Sequence, residues 1–240
     1  MEAYALTDVG QKRSMNQDSV YARTKSIGSL ENLFIVADGM GGHQAGDFAS
    51  NFVVENLVRF FETPYPERDV HGILKEGIRK VNRDLYECTS RDPKLNGAGS
   101  TLVLATIKGS VLYVANIGDS RLYLLREALE QITKDHSYVE ELVAMGKLKR
   151  GSRDYLEKKN IITRAVGVSA QVDTDLFALK LKSGDQILMC SDGLSNMVDE
   201  LEIEYIIRSE DGVESRANRS GGLDNISVVL VEPQISEVSL

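Results

Sequence analysis

The chain has 240 residues, 28 of them basic and 36 acidic, for a formal net charge of −8, and 42% of it is hydrophobic. That length and balance suit a single large domain spanning residues 1–240, and they argue against a surface built mainly for nucleic acid or an anionic membrane. Cys88 and Cys190 lie too far apart for metal-ligand spacing and read as reduced thiols of a cytoplasmic protein; no apolar run is long enough for a membrane helix, and residues 1–8 carry no export signal.

Residues 2 to 8 alternate and predict a first strand. A polar loop with Arg13 and Asp18 follows, then a second strand at Ser19–Ala22. The loop sets a guanidinium and a carboxylate at one end of a strand pair. A guanidinium there can grip phosphate through two parallel hydrogen bonds, or simply pair with a neighbouring carboxylate, which the loop alone favours. Leu33–Ala37 reads as a buried strand that stops at Asp38, after which four glycines fall within positions 39–46. An aspartate at a strand mouth is a poor core residue but a good metal ligand, and the glycines let backbone approach whatever it holds.

Helical spacing of apolar residues predicts helices at Ala45–Phe61 and about Asp69–Thr89, with Phe48, Phe52, Phe60, Phe61 and Tyr86 as core. Strands at Ser100–Ile107, Val111–Ile117 and Arg121–Arg126 are joined by turns too short for anything but antiparallel pairing, and Asp119 sits in the second turn. Ser137 caps a helix at Tyr138–Met145. The segment from Gly146 to about residue 160 turns basic and irregular, through Lys147, Lys149, Arg150, Arg153, Lys158 and Lys159, and reads either as a solvated loop or as a mobile flap whose charge attracts an acidic, phosphorylated substrate. Strands at about Asp175–Leu181 and Asp185–Cys190 lead to Asp192, again an apolar run ending in Asp-Gly. A helix at Asp199–Arg208, a polar stretch at Ser209–Ser220 with little to anchor a helix, Asp224-Asn225, a last strand to Val231 and a fraying tail complete the chain. Hairpin-linked strands with paired helices favour an α+β fold over a doubly wound sheet.

Four aspartates at strand ends, Asp38, Asp119, Asp192 and Asp224, with Asp18 a fifth, point to one convergent site. Hard oxygen donors without a His or Cys cluster suit Mg²⁺ or Mn²⁺ rather than Zn²⁺. Two such ions about 4 Å apart can acidify a shared water for in-line attack on phosphorus. The competing chemistries lack their signatures: Gly39-Met-Gly-Gly-His-Gln44 misses the last glycine of a dinucleotide loop, and neither a P-loop nor Gly-x-Ser-x-Gly occurs.

Together, Arg13-Ser-Met-Asn-Gln-Asp18, Ala37-Asp-Gly-Met-Gly-Gly-His43, Gly99-Ser-Thr101, Asn116-Ile-Gly-Asp-Ser-Arg121, Thr163-Arg-Ala165, Ser191-Asp-Gly-Leu194 and Asp224-Asn-Ile226 resemble, in that order, the metal-dependent serine/threonine protein phosphatases of type 2C. The chain looks like a bacterial, catalytic-domain-only member. The resemblance implies a four-layer α-β-β-α sandwich, two central antiparallel sheets flanked by helices, with Mn²⁺ or Mg²⁺ in the cleft between sheet ends. By position, Asp38 bridges two ions, the carbonyl of Gly39 binds one, and Asp192 and Asp224 bind the other. Asp119 with Asp192 resembles a third, weaker site beside the flap. Arg13 matches the phosphate-binding arginine, Asn225 supports the ligands from behind, and Asp18 acts through a metal-bound water. Arg13, Asp38 and Asp192 are thus the catalytic candidates.

Three departures stand out. Gln17 replaces a glutamate of many eukaryotic relatives, Met40 replaces the histidine that follows their Asp-Gly, and the segment between Arg208 and Gly221 is shorter than their usual helix. His43, three positions beyond Met40, leaves the general acid unassigned. The expected partners are phosphorylated proteins and a cognate serine/threonine kinase, with the enzyme a monomer and no nucleic acid or membrane involved. A phosphoprotein-binding module without turnover and a cation-stabilised scaffold are the alternatives, and activity with Mn²⁺ before and after chelation separates them.

Overall fold

The computed structural model describes residues 1–42, 44–64, 69–209 and 213–235. His43 and the end of the tail therefore lie outside the described residues. Among the described residues, eleven strands form two antiparallel sheets. One contains β1 (Glu2–Asp8), β7 (Arg121–Leu125), β8 (Leu129–Gln131), β10 (Gln186–Cys190) and β11 (Ile226–Glu232), in the order β1-β11-β10-β7-β8. The other contains β2 (Asp18–Arg23), β3 (Leu33–Met40), β5 (Leu102–Lys108), β6 (Val111–Ile117) and β9 (Asp175–Lys180) in that spatial order, with β4 (Gly99–Ser100) paired to the end of β3.

Period-2 alternation divides each strand between two cores. Phe34, Val36, Val103 and Ala105 meet Leu122, Leu124, Ile187, Met189, Val229 and Val231 in the layer between the sheets. Their neighbours Leu33, Ile35, Ala37, Leu102 and Leu104 face the other way, against helices α1 (Ala45–Glu62) and α2 (Val70–Arg91). On the far side, Tyr123, Leu188, Ile226 and Val228 pack with residues of α5 (Asp192–Ser195), α6 (Glu200–Ser209) and α7 (Val213–Arg219). The layers are thus helix, sheet, sheet, helix, as the resemblance implied. Phe61 is buried, and Phe48, Phe52 and Phe60 pack partly buried against the same core.

Several local expectations need correction. β3 does not stop at Asp38 but runs on to Met40, because β4 supplies Gly99 and Ser100 as hydrogen-bonding partners for Met40 and Gly39. The basic segment after α3 (Tyr138–Ala144) is not wholly irregular: α4 (Arg153–Lys158) forms there, capped by Ser152, whose Oγ accepts from Tyr155 N–H. The polar stretch before Gly221 also carries a helix, α7, whose buried Ala217 and the pairing of Arg216 with Glu202 dock it on α6. Both short helices were hidden by polar composition, and tertiary docking overrode the weak apolar signal.

Candidate active site

Four of the five expected aspartates, Asp38, Asp119, Asp192 and Asp224, come from elements of both sheets to line one cleft, while Asp18 lies outside its lining. Asp18 and Asp38 are cross-strand partners on β2 and β3. Asp119 lies in the tight turn that carries the chain from β6 in one sheet to β7 in the other, so the antiparallel pairing expected across that turn does not form: β6 pairs with β5 and β9, and β7 with β8 and β10. Asp192 opens α5 directly after β10, and Asp224 precedes β11. A cleft of about 270 Å³ is lined by Arg13, Asp38, Asp119, Asp192 and Asp224 along with Gly39, Thr101 and Asn225. Gln17 and Met40, the two departures near the site, also face it, as do Asn160 and Ile162 from the exit of the flap.

Two glycines allow this closeness. A Cβ on Gly39 would stand 2.0 Å from the carbonyl oxygen of Gly46, so the start of α1 packs directly on the residue after Asp38. A Cβ on Gly193 would stand 2.0 Å from the carbonyl oxygen of Asn225, which brings the start of α5 against Asp224.

Hydrogen bonds set the remaining geometry. Thr101 Oγ1 accepts from Asp38 N–H at 2.9 Å and lies 2.7 Å from Ser120 Oγ, tying β3 to the turn of Asp119. Asn225 Nδ2 donates to the carbonyls of Val9 and Met15, each at 2.9 Å, while its Oδ1 accepts from Gln17 N–H at 2.9 Å. That one amide fastens the loop bearing Arg13. Arg13 Nη2 donates to Asp224 Oδ2 at 2.8 Å, so the arginine does pair with a carboxylate, one that belongs to the cleft. Gly118 N–H donates to His136 Nδ1 at 3.0 Å, and His136 Nε2 lies 3.1 Å from Asp175 Oδ2, which braces the residue before Asp119.

The electrostatics are those of a site short of positive charge. Burial pushes the Asp18 carboxyl up to about 7, helped by the charges of Asp192 and Asp224 and opposed by the hydroxyl of Ser191. Burial likewise takes Asp119 to about 7, with Asp192 adding, and Asp192 to about 6, with Asp224 adding and Lys159 opposing. Asp38 is raised well above the ordinary range by burial and then by Asp18, Asp192, Asp119 and Asp224. Asp18 Oδ2 takes the Ser191 hydroxyl at 2.7 Å, but its buried Oδ1 has no hydrogen-bond partner. Carboxylates in this state are relieved by cations. The donor set, all oxygen, fits Mg²⁺ or Mn²⁺. Among the described residues no three acidic, His or Cys side chains close around a single point as a complete cage, so bound ions would draw on backbone carbonyl and water as well.

Thr101, Ser191 and Asn196, whose Nδ2 donates to Asp192 Oδ2 at 2.9 Å, carry parts of this geometry that spacing in the sequence did not assign. The signals were slight: a hydroxyl immediately before Asp192, and an amide four residues after it. The flap's charge is partly spent internally, since Arg150 pairs with Glu140 and Arg153 with Glu157.

A family model described as Protein phosphatase 2C matches residues 9–220. The chain is 38% identical over 257 residues to "Serine/threonine phosphatase stp" of Listeria monocytogenes, covering 99% of this chain and 98% of that protein. It is 40% identical over 242 residues to "Protein phosphatase PhpP" of Streptococcus pneumoniae, covering 96% and 97%. Among solved structures, a serine/threonine phosphatase of S. agalactiae superposes with a TM-score of 0.89 at 35% identity, covering 97% of this chain and 99% of that one. The catalytic domain of serine threonine protein phosphatase PstP, solved in complex with two manganese ions, gives 0.79 at 34% identity, covering 95% and 96%.

Proposed function

The chain belongs to the protein phosphatase 2C family and is a serine/threonine phosphatase, and from that premise we propose that its cleft holds two divalent cations and hydrolyses phosphoserine and phosphothreonine esters of proteins. One observation carries this reading: Asp38, Asp119, Asp192 and Asp224, drawn from both halves of the chain, line a single cleft with Arg13. Asp38 would serve both ions, the Gly39 carbonyl one of them, and Asp192 and Asp224 the other, with Asp119 and Asp192 offering a third, weaker place. Mn²⁺ and Mg²⁺ suit these oxygens equally, and two manganese ions are what the PstP domain was solved with. Such ions, when bound, neutralise the carboxylates, acidify a water and polarise phosphoryl oxygens.

The chain's own residues do the rest. Arg13 spends one N–H on Asp224 and keeps its others for the non-bridging phosphate oxygens, where charge builds as the ester breaks. Asn225 and Thr101 hold the arginine loop and the Asp38 backbone so that neither must reorganise during reaction. Asp18, behind Asp38, has a buried Oδ1 with no partner in the chain, which a cation-bound water would satisfy. Met40 faces the cleft but cannot donate a proton to the leaving alkoxide, so the acid is solvent or a group other than residue 40.

The enzyme acts as a cytoplasmic monomer that opposes a serine/threonine kinase. Free thiols at Cys88 and Cys190 support the compartment. The test is release of phosphate from a phosphothreonine peptide with Mn²⁺, lost on chelation and regained on adding Mn²⁺. Asp192→Asn should abolish turnover while the far-UV circular dichroism stays unchanged. Undiminished activity of that variant would remove Asp192 from the site, and cation binding without turnover in the natural chain would leave a phosphoprotein-binding module.

A further inference from the structure

Asp192 is held by more than its own backbone. Four residues on, Asn196 N–H donates to the Asp192 carbonyl at 2.7 Å, and the Asn196 side chain repeats the connection: Nδ2 donates to Asp192 Oδ2 at 2.9 Å. The other end of the same amide is engaged as well. Asn196 Oδ1 accepts from Lys159 Nζ at 2.7 Å. The amide can have only this orientation, because a flip would set an ammonium against an NH₂ and a carbonyl against a carboxylate. Lys159 caps the C-terminal end of α4 in the flap, whereas Asn196 and Asp192 belong to α5 and the body of the enzyme.

The flap is otherwise stitched to itself. Its root is pinned by Tyr138 N–H to the Ile161 carbonyl at 2.8 Å and Thr163 N–H to the His136 carbonyl at 2.8 Å. Its two helices are joined by Arg150 and by Tyr155 Oη, both on Glu140. Between α4 and α5 lies a cavity of about 160 Å³, lined by Asp119, Tyr155, Leu156, Lys159, Ser195 and Asn196. Among the described residues, the Lys159 to Asn196 bond is the side-chain hydrogen bond that crosses from α4 to α5 over this space.

We propose that Asn196 is a positioning residue for Asp192, and that Lys159 makes its hold depend on where the flap sits. With the flap seated, the ammonium fixes the amide, the amide fixes Oδ2, and Asp192 presents Oδ1 to the cleft in one rotamer. With the flap displaced, Asn196 is free to turn and Asp192 loses its orientation. The flap thereby reports its position to the cation site through a chain of two hydrogen bonds. The inference rests on the reading of Asp192 as a cation ligand, and its test separates the two.

Both side chains are reached by solvent, Asn196 being exposed and Lys159 partly so, which makes substitutions there compatible with folding. Mn²⁺ binding is measured by calorimetry for the full chain and for Asn196→Ala, Lys159→Met, the double variant and Asp192→Asn, beside kcat and KM on a phosphothreonine peptide. Asn196→Ala should weaken Mn²⁺ binding about tenfold, as loss of a ligand's supporting partner does, and lower kcat more than it raises KM. Lys159→Met should produce a smaller loss of the same kind, and Lys159→Arg should restore most of it. The double variant should be no worse than Asn196→Ala alone, since both act through one amide. Additive losses, or a Lys159→Met effect confined to KM, would overturn the relay and make Lys159 a plain attractant for substrate. Unchanged Mn²⁺ affinity in Asn196→Ala, with affinity lost in Asp192→Asn, would sink the relay alone. Unchanged affinity in Asp192→Asn would sink the assignment of Asp192 beneath it.

Discussion

Ser191 Oγ donates to Asp18 Oδ2 across 2.7 Å, joining the end of a strand in one sheet to the start of a strand in the other. The same oxygen accepts from Ser227 N–H at 3.0 Å, and Ser191 and Ser227 are fully buried. Ser191→Ala leaves one buried amide without a partner and deprives Asp18 of its donor. The expected cost is about 1–3 kcal/mol of stability by urea denaturation, accompanied by weaker Mn²⁺ binding. Equal stability in variant and parent would mean that the sheets are registered by their shared core alone.

Stability should respond to pH in the direction opposite to ordinary acid denaturation when cations are stripped with a chelator. The carboxyls of Asp18 and Asp119, near 7, and of Asp192, near 6, bind protons in the folded chain that the unfolded chain releases at about 4. Between those limits the folded state holds more protons, so unfolding becomes harder as the pH falls from about 8 towards 5. Melting temperature recorded across that range should rise towards acid, and saturating Mn²⁺ should flatten the trend. A stripped protein that loses stability throughout the same interval would show that these carboxyls are not crowded together.

Arg13 has half of its side chain exposed and one N–H committed to Asp224, so its removal should spare the fold. Arg13→Ala is expected to lower kcat/KM on a phosphopeptide by about 10²–10³, the usual penalty for losing a donor aimed at transition-state charge. Arg13→Lys should recover little, because a point charge cannot reproduce the planar fork. Full activity in Arg13→Lys would place the phosphate elsewhere in the cleft.

Far from the cleft, Asp185 accepts from Arg126 Nε at 2.8 Å and Nη2 at 2.7 Å and from Lys182 N–H at 2.8 Å, with its side chain fully buried. Burial would raise its carboxyl, but these donors hold it below the ordinary range. Its contribution is therefore present at neutral pH and disappears as the pH falls through that depressed value. Asp185→Ala should cost about 2–3 kcal/mol at pH 7 and much less near pH 2, with kcat per folded molecule unaltered. A variant with normal stability and altered kcat would contradict both halves of this expectation.

Much of the fold could be read from the chain because its strands are apolar and separated by short turns. β1 falls on the predicted residues, and Asp38, Asp119, Asp192 and Asp224, which apolar runs ending in carboxylates single out, line one cleft, whereas Asp18 lies outside its lining. What escaped was what polar side chains decide. α4 begins at Ser152, an ordinary capping residue inside a basic run, and α7 depends on docking to α6. The extension of β3 past Asp38 needed β4, two residues long and invisible to periodicity. Thr101, Ser191 and Asn196 act by bonding to partners distant in sequence or one helical turn away, and spacing alone does not distinguish such a hydroxyl or amide from a solvated one.

β11 lies between β1 and β10, although more than two hundred residues separate it from β1 in sequence. A ribosome must therefore release residues 226–232 before the opening strand gains its neighbour, and Asp224 reaches the cleft only in the same step. A nascent chain is consequently silent as a phosphatase until β11 has been made. A product terminated before β11 would leave two unpaired strand edges and half a cation site, making it a substrate for quality control and not a partly working enzyme.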